Sequence, residues 1–416
     1  MSADCARKPT LLDDDTNKGR AFLLPAVQRI PVEIWMKIFP LSLQDSFSLQ
    51  TTADEISASA LDLSHVCSVW RAVAISTPTL WSKLFINLAD GSHLEDVLSF
   101  YLERSTDSSL VLSLYAADAN GDLHEGLPEY GWRTMAMLVK AHSRGSEVDI
   151  SLVWDILEDG MVQDILRAVS SPFCERLQTF RVSFPSIFSW FTSEDLPIPS
   201  PALFKLVENA PRLQSLHLDA FSRDYLLPYF QLHDITVFDF HFLQDMVDCF
   251  TLCPNLRKAD IAVETLFDYD GGEETRHITH PELSSLKCFI TWRAYTHTVL
   301  SKLTLPALTE LDLSVGHATS LNDDEAETAT TSVQDQISRS GCQLTMLSFN
   351  GAFYQTLVNL QRVLSSTRNL VCLKPSASSS QCFPTSFFQY LTVPCDSESE
   401  DYKVDVLPRA TWPLFI

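Results

Sequence analysis

His277 and His280 stand three apart in GGEETRHITH, with Glu273 and Glu274 just ahead of them. Two imidazoles and a carboxylate can in principle hold zinc, but the paired glycines opening the stretch read as a surface loop instead. Cys249 and Cys253 are four apart and could share a helix face. No second Cys or His pair lies beside them in sequence, so they read as small apolar side chains and not as half of a zinc site. The chain has no G-x-S-x-G elbow, no G-x-G-x-x-G turn, no G-x-x-x-x-G-K phosphate loop and no H-E-x-x-H helix. Its 12 glycines offer no cradle for a cofactor. These residues lead us to expect neither metal nor cofactor, and an interaction protein in place of an enzyme.

The chemistry left is that of surfaces, and the stretch from Arg29 to Leu84 carries most of it. RIPVEIWMKIF places Pro31 at a helix start, where the missing N–H costs nothing, with Glu33 in the first turn facing the positive end of the helix dipole. Ile34, Trp35, Ile38 and Phe39 follow at three- and four-residue spacing. A second run puts Leu63, Val66, Cys67, Trp70, Val73 and Ala74 on one stripe over three turns of a helix. Thr77-Pro78 ends it, because a residue before proline is pushed out of the α region. So small a pair of amphipathic helices cannot bury all of this surface alone, and surplus apolar surface usually belongs to an interface.

These residues resemble the F-box, in the F-box-like form common in large fungal families. Leu63, Ser64, Val66, Cys67, Trp70, Arg71, Val73, Ala74, Ser76, Thr77, Pro78, Leu80 and Trp81 follow that pattern almost throughout. The first half departs once, with Ile30 where the family has leucine before Pro31, a swap that conserves volume. The segment from His93 to Ala116 also looks like the helix and strand that follow the F-box there. The resemblance implies docking on the Skp-family linker of a cullin–RING ubiquitin ligase. The expected contact residues are Ile30, Pro31, Ile34, Trp35, Ile38, Leu63, Val66, Cys67 and Trp70, with Trp35 either at the rim or packed inward.

Beyond about Ser171 a leucine-led strand pattern, L-x-x-Φ-x-Φ with Φ apolar, recurs after helix-like runs such as FLQDMVDCF and TLVNLQRVLSS. Its instances lead with Leu177, Leu213, Ile235, Leu256, Leu283, Leu308 and Leu344. Pro211, Pro254, Pro281 and Pro306 each stand two residues before a leading leucine. Uneven spacing of this kind suits a degenerate leucine-rich repeat, in which each unit buries its leucines only when the next one stacks on it. Alternating strands and helices also fit an α/β domain without superhelical stacking.

The expected fold class is therefore α/β: a helical F-box, then an irregular leucine-rich-repeat solenoid with parallel strands and outer helices. The expected organisation is a disordered tail over 1–22, the F-box over 23–85, and an irregular connector over 86–170. Repeats over 171–382 and a C-terminal cap over 383–416 complete it. The segment 44–58 reads as a polar loop within the F-box, and 316–332 and 376–381 as mobile loops. A net charge of −23 speaks against nucleic acid and anionic membranes, since there is no cationic excess to neutralise phosphates. No segment approaches twenty apolar residues and the first residues lack a signal-peptide pattern. With ten cysteines expected to be reduced, the expected setting is intracellular, cytoplasmic or nuclear. The function expected from the resemblance is a substrate receptor, with the repeats holding an unidentified client protein. The alternative is an F-box and repeat scaffold outside any ligase.

Overall fold

The computed structural model describes residues 30–376 apart from internal stretches, the longest being 184–209, 220–231 and 264–275. The expected tail over 1–22 and cap over 383–416 lie outside the described residues. The chain divides into two compact α/β units, the first formed by Met1–Asp122 with Leu127–Arg144, the second by Leu123–Gly126 with Gly145–Ile416.

The first unit opens with helix α1 (Val32–Ser42), for which Pro31 is the N-terminal flanking residue. Strands β1 (Leu49–Thr51) and β2 (Ile56–Ser57) follow, then α2 (Ser59–Val66) and α3 (Ser68–Ile75). So the segment over 44–58, expected to be a loop, carries two paired strands. The single helix expected through Leu63 and Ala74 is also corrected: it breaks at Cys67, whose backbone is extended. Cys67 flanks the start of α3, and its Sγ accepts from the Trp70 N–H at 3.5 Å, which offsets the broken turn. Thr77-Pro78 ends the helical run as expected, and Pro78–Trp81 form a 3₁₀ turn.

Strand β3 (Lys83–Asn87), helix α4 (Leu94–Arg104), strand β4 (Leu110–Tyr115) and helix α5 (Glu129–Lys140) complete this unit. The expected boundary at residue 85 thus falls inside a strand. The strands run in the order β2-β1-β3-β4, with only β2 antiparallel to its neighbour. Fully buried Asn87 knits the ladder together: its Nδ2 donates to the Ala117 carbonyl at 2.7 Å, and its Oδ1 accepts from the Ala89 and Ala117 N–H groups. The Tyr101 hydroxyl ties α4 to the carbonyl of Ser48 at 2.8 Å. Helix α5 passes so close to the turn after β3 that a Cβ at Gly131 would stand 2.3 Å from the Leu88 carbonyl oxygen.

Among its described residues the second unit has nine parallel strands lying side by side in chain order. They are β5 (Gly145–Ser151), β6 (Thr179–Ser183), β7 (Ser215–Leu218), β8 (Asp234–Val237), β9 (Lys258–Val263), β11 (Ser285–Ile290), β13 (Glu310–Val315), β14 (Met346–Asn350) and β15 (Cys372–Ser376). A separate parallel pair, β10 (Ile278–Thr279) and β12 (Leu303–Thr304), lies apart from this sheet. The register does not slip: Phe180, Leu216, Ile235, Ala259, Leu286, Leu311, Leu347 and Leu373 stand opposite one another from strand to strand, and all are buried. Period-two alternation sends these residues to the core and their neighbours to the other face.

One expected frame is wrong by three residues. The strand pattern expected to lead with Ile235 leads with buried Leu232, with Ile235 and Val237 as its strand positions. A further unit, led by buried Leu370, follows the last one expected. Helices α6 (Leu243–Leu252), α7 (Ala294–Ser301), α8 (Asp323–Ser340) and α9 (Leu357–Ser366) lie between strands, with α8 packed on both α7 and α9. Helix α8 corrects the loop expected over 316–332: its residues 323–332 are helical, and 316–322 lie outside the described residues.

Candidate protein-docking face

Helix α1 is apolar nearly all the way round, with Val32, Ile34, Trp35, Met36, Ile38, Phe39 and Leu41 among its eleven residues. A helix with that composition is normally enclosed on every side. Here only Trp35 and Phe39 are buried. Their rings meet Trp70 of α3 with centroids 5.0 Å away in each case, a three-ring cluster that fastens α1 to α3. On the free side Ile34, Ile38 and Leu41 follow at spacings of four and three, with Leu41 67% exposed. Val32 and Met36 extend the exposed apolar surface, and Val66, at the end of α2, is 60% exposed.

Beneath this surface the first unit is well fastened. Trp81 is fully buried, its indole N–H donates to the Ala74 carbonyl at 2.8 Å, and its ring packs edge-on against Tyr101. Thr77 Oγ1 donates to the Val73 carbonyl. Arg71 is exposed, yet its Nε–H donates to the Ser64 carbonyl at 3.1 Å and bridges the two short helices. The exposed side chains are therefore not the sign of a loose domain.

Of the nine expected contact residues, Pro31, Ile34, Ile38 and Val66 are exposed. Ile30, Leu63, Cys67 and Trp70 are half-buried. Trp35 is the correction: only 7% exposed, it is spent on the ring cluster and cannot meet a partner without rearrangement. Val32, Met36, Leu41 and Ile75 are exposed apolar residues that sequence reasoning passed over. The signal for Leu41 was there, one turn beyond Ile38 on the stripe that begins at Ile34.

The other candidate clusters resolve into structure. The buried ring of His280 accepts the Leu283 N–H at Nδ1 and, through Nε2, donates to the Cys253 carbonyl at 2.9 Å, so both nitrogens serve the turn before β11. His277 meets Thr304 Oγ1. Cys249 and Cys253 are both fully buried, and burial pushes the Cys249 thiol well above the ordinary range, which keeps it protonated and unreactive. The seven described cysteines form no disulfide. Among the described residues, Ser215 Oγ and His217 Nε2, 2.9 Å apart on β7, are the nearest approach to a nucleophile and base. Burial, and then the charge of Arg181, lower the His217 pKa. Strand β7 pairs with β6 on one side and β8 on the other, so both side chains stand in the middle of the sheet.

No protein-family model matches this chain, and no curated protein matches it. Among the described residues no helix is long and apolar enough to cross a membrane.

Proposed function

We propose that the chain is a substrate-receptor adaptor of a Skp–cullin–RING type ubiquitin ligase. In this reading the first unit is an F-box-like element that docks on the Skp-family linker, and the second is a leucine-rich-repeat stack that holds a client protein. The observation that carries it is α1: a helix apolar around most of its circumference, anchored by Trp35 and Phe39, with Ile34, Ile38 and Leu41 left in solvent. Fully burying such side chains is worth about 1.5–3 kcal/mol each, and half-exposed ones retain roughly half of that for a partner. The chain-order stacking of in-register strands supports the repeat reading of the second unit.

The contribution to ubiquitin transfer is positional. Holding client and conjugating enzyme in one complex raises the effective concentration of the client's lysines at the reactive thioester. The test is co-expression with a Skp-family linker followed by size-exclusion chromatography. The two should co-elute, and an Ile34→Asp, Leu41→Asp double variant should lose the linker while remaining folded. Retention no better than background for the parent chain would end the proposal. Linker binding without any change in client turnover on deleting the chain would favour a non-ligase scaffold.

A further inference from the structure

Among the described residues, the face of the second unit's sheet that points away from its leucines carries one exposed large aromatic side chain. Phe289 on β11 is 36% exposed, between Ala262 of β9 and Ser314 of β13, and among the described residues no ring or cation stacks on it. One row back on the same face Lys287 bonds Asp260 at 2.8 Å. Asp312 flanks Lys287 on the other side, and Glu310 lies two residues further back on β13. Neither Glu310 nor Asp312 makes an ion pair among the described residues, and both are only half exposed. Across β8 to β13 this face presents the carboxylates of Asp234, Asp260, Glu310 and Asp312 against the ammonium groups of Lys258 and Lys287.

We infer that this patch docks an arginine-rich, extended protein segment, one guanidinium lying over the Phe289 ring and others meeting Glu310 and Asp312. Three features choose that occupant over an apolar or acidic one. An exposed aromatic face attracts a weakly hydrated cation. A neutral segment laid here would strip water from two half-exposed carboxylates without returning a hydrogen bond. The whole chain carries a net charge of −23, which repels acidic partners and steers basic ones in. The inference deepens the receptor reading and rests on it only for calling the segment a client.

The test is fluorescence anisotropy of a labelled octa-arginine peptide with the full chain at low salt. Phe289→Leu keeps an apolar side chain but removes the ring, and should weaken binding about threefold. Glu310→Gln with Asp312→Asn should weaken it about fivefold. Glu95→Gln with Glu129→Gln removes two carboxylates beside Arg133 in the first unit and should leave the affinity within about twofold, which separates this patch from general attraction to an acidic chain. No binding to the parent chain, or equal losses in the control and the sheet variants, would overturn the inference. Linker retention is read in parallel. A chain that holds the linker but not the peptide sinks the patch alone, and one that holds the peptide but not the linker sinks the adaptor reading alone.

Discussion

The indole N–H of Trp81 and the carbonyl of Ala74 lie 2.8 Å apart, with both residues fully buried, and this bond ties the 3₁₀ turn to the end of α3. Trp81→Phe should leave the carbonyl unpaired and a gap beside Tyr101. The expected cost is about 2–4 kcal/mol, read as a shift in the urea midpoint. A midpoint within error of the parent would show the bond to be dispensable.

The exposed side of α1 should behave in the opposite way. Ile34→Asp or Leu41→Asp removes no buried contact, so stability should change by no more than about 0.5 kcal/mol while linker capture falls at least about tenfold. If either substitution unfolds the first unit by circular dichroism, the side chain is structural and the docking assignment fails.

Gly131 has helical backbone, so helix propensity alone predicts that Gly131→Ala stabilises α5 by about 1 kcal/mol. The Leu88 carbonyl, 2.3 Å from where the new methyl would sit, reverses the sign. We expect destabilisation of about 1–3 kcal/mol, and a Tm at or above that of the parent would contradict the close approach.

Burial pushes the Cys288 thiol up to about 12 and the Cys174 thiol up to about 11. A raised folded-state pKa means that the folded chain keeps a proton the unfolded chain has lost. Their contribution is therefore complete below the ordinary value of 9.0 and is lost as pH climbs through the folded pKa. Between 9.0 and about 12, Cys288 should add a loss of about 1.4 kcal/mol per pH unit to unfolding stability. Cys288→Ala, less stable at neutral pH, should show a shallower alkaline decline; an unchanged slope would refute the assignment.

His280 offers a check on the second unit. His280→Leu keeps the volume but deletes the acceptor for the Leu283 N–H and the donor to the Cys253 carbonyl, both in buried surroundings. Loss of about 2–4 kcal/mol is expected, with amide exchange accelerating first at Leu283. Uniform exchange across the unit would place the role elsewhere.

How far the sequence could be read depended on how local each determinant is. The strand positions of six of the seven expected units were legible because leucine at the lead and apolar residues at the third and fifth positions afterwards are set by period-two burial alone. The unit at Leu232 was misplaced because Ile235, Phe238 and Phe240 satisfy the same pattern three residues later, and only the pairing of Ile235 with Leu216 fixes the frame. Helix ends that depend on one residue's backbone were harder. Nothing in the Cys67 side chain announces an extended conformation, which pairing with the Trp70 N–H makes tolerable. In α1 the apolar stripe was visible. Which of Trp35 and Ile34 faced inward was not, because adjacent residues on one helix are separated only by what they pack against.

In the main sheet of the second unit, each strand from β6 onward pairs with the main-sheet strand before it, with β9 to β11 and β11 to β13 each skipping only a two-residue strand. Its sheet contacts therefore join segments close in sequence, a low contact order for so large a parallel sheet. Such a ladder can unzip from either end without losing its middle. Under force or dilute denaturant it should yield strand by strand, whereas the first unit, clasped by bonds such as Tyr101 to Ser48 across fifty-three positions, should give way all at once.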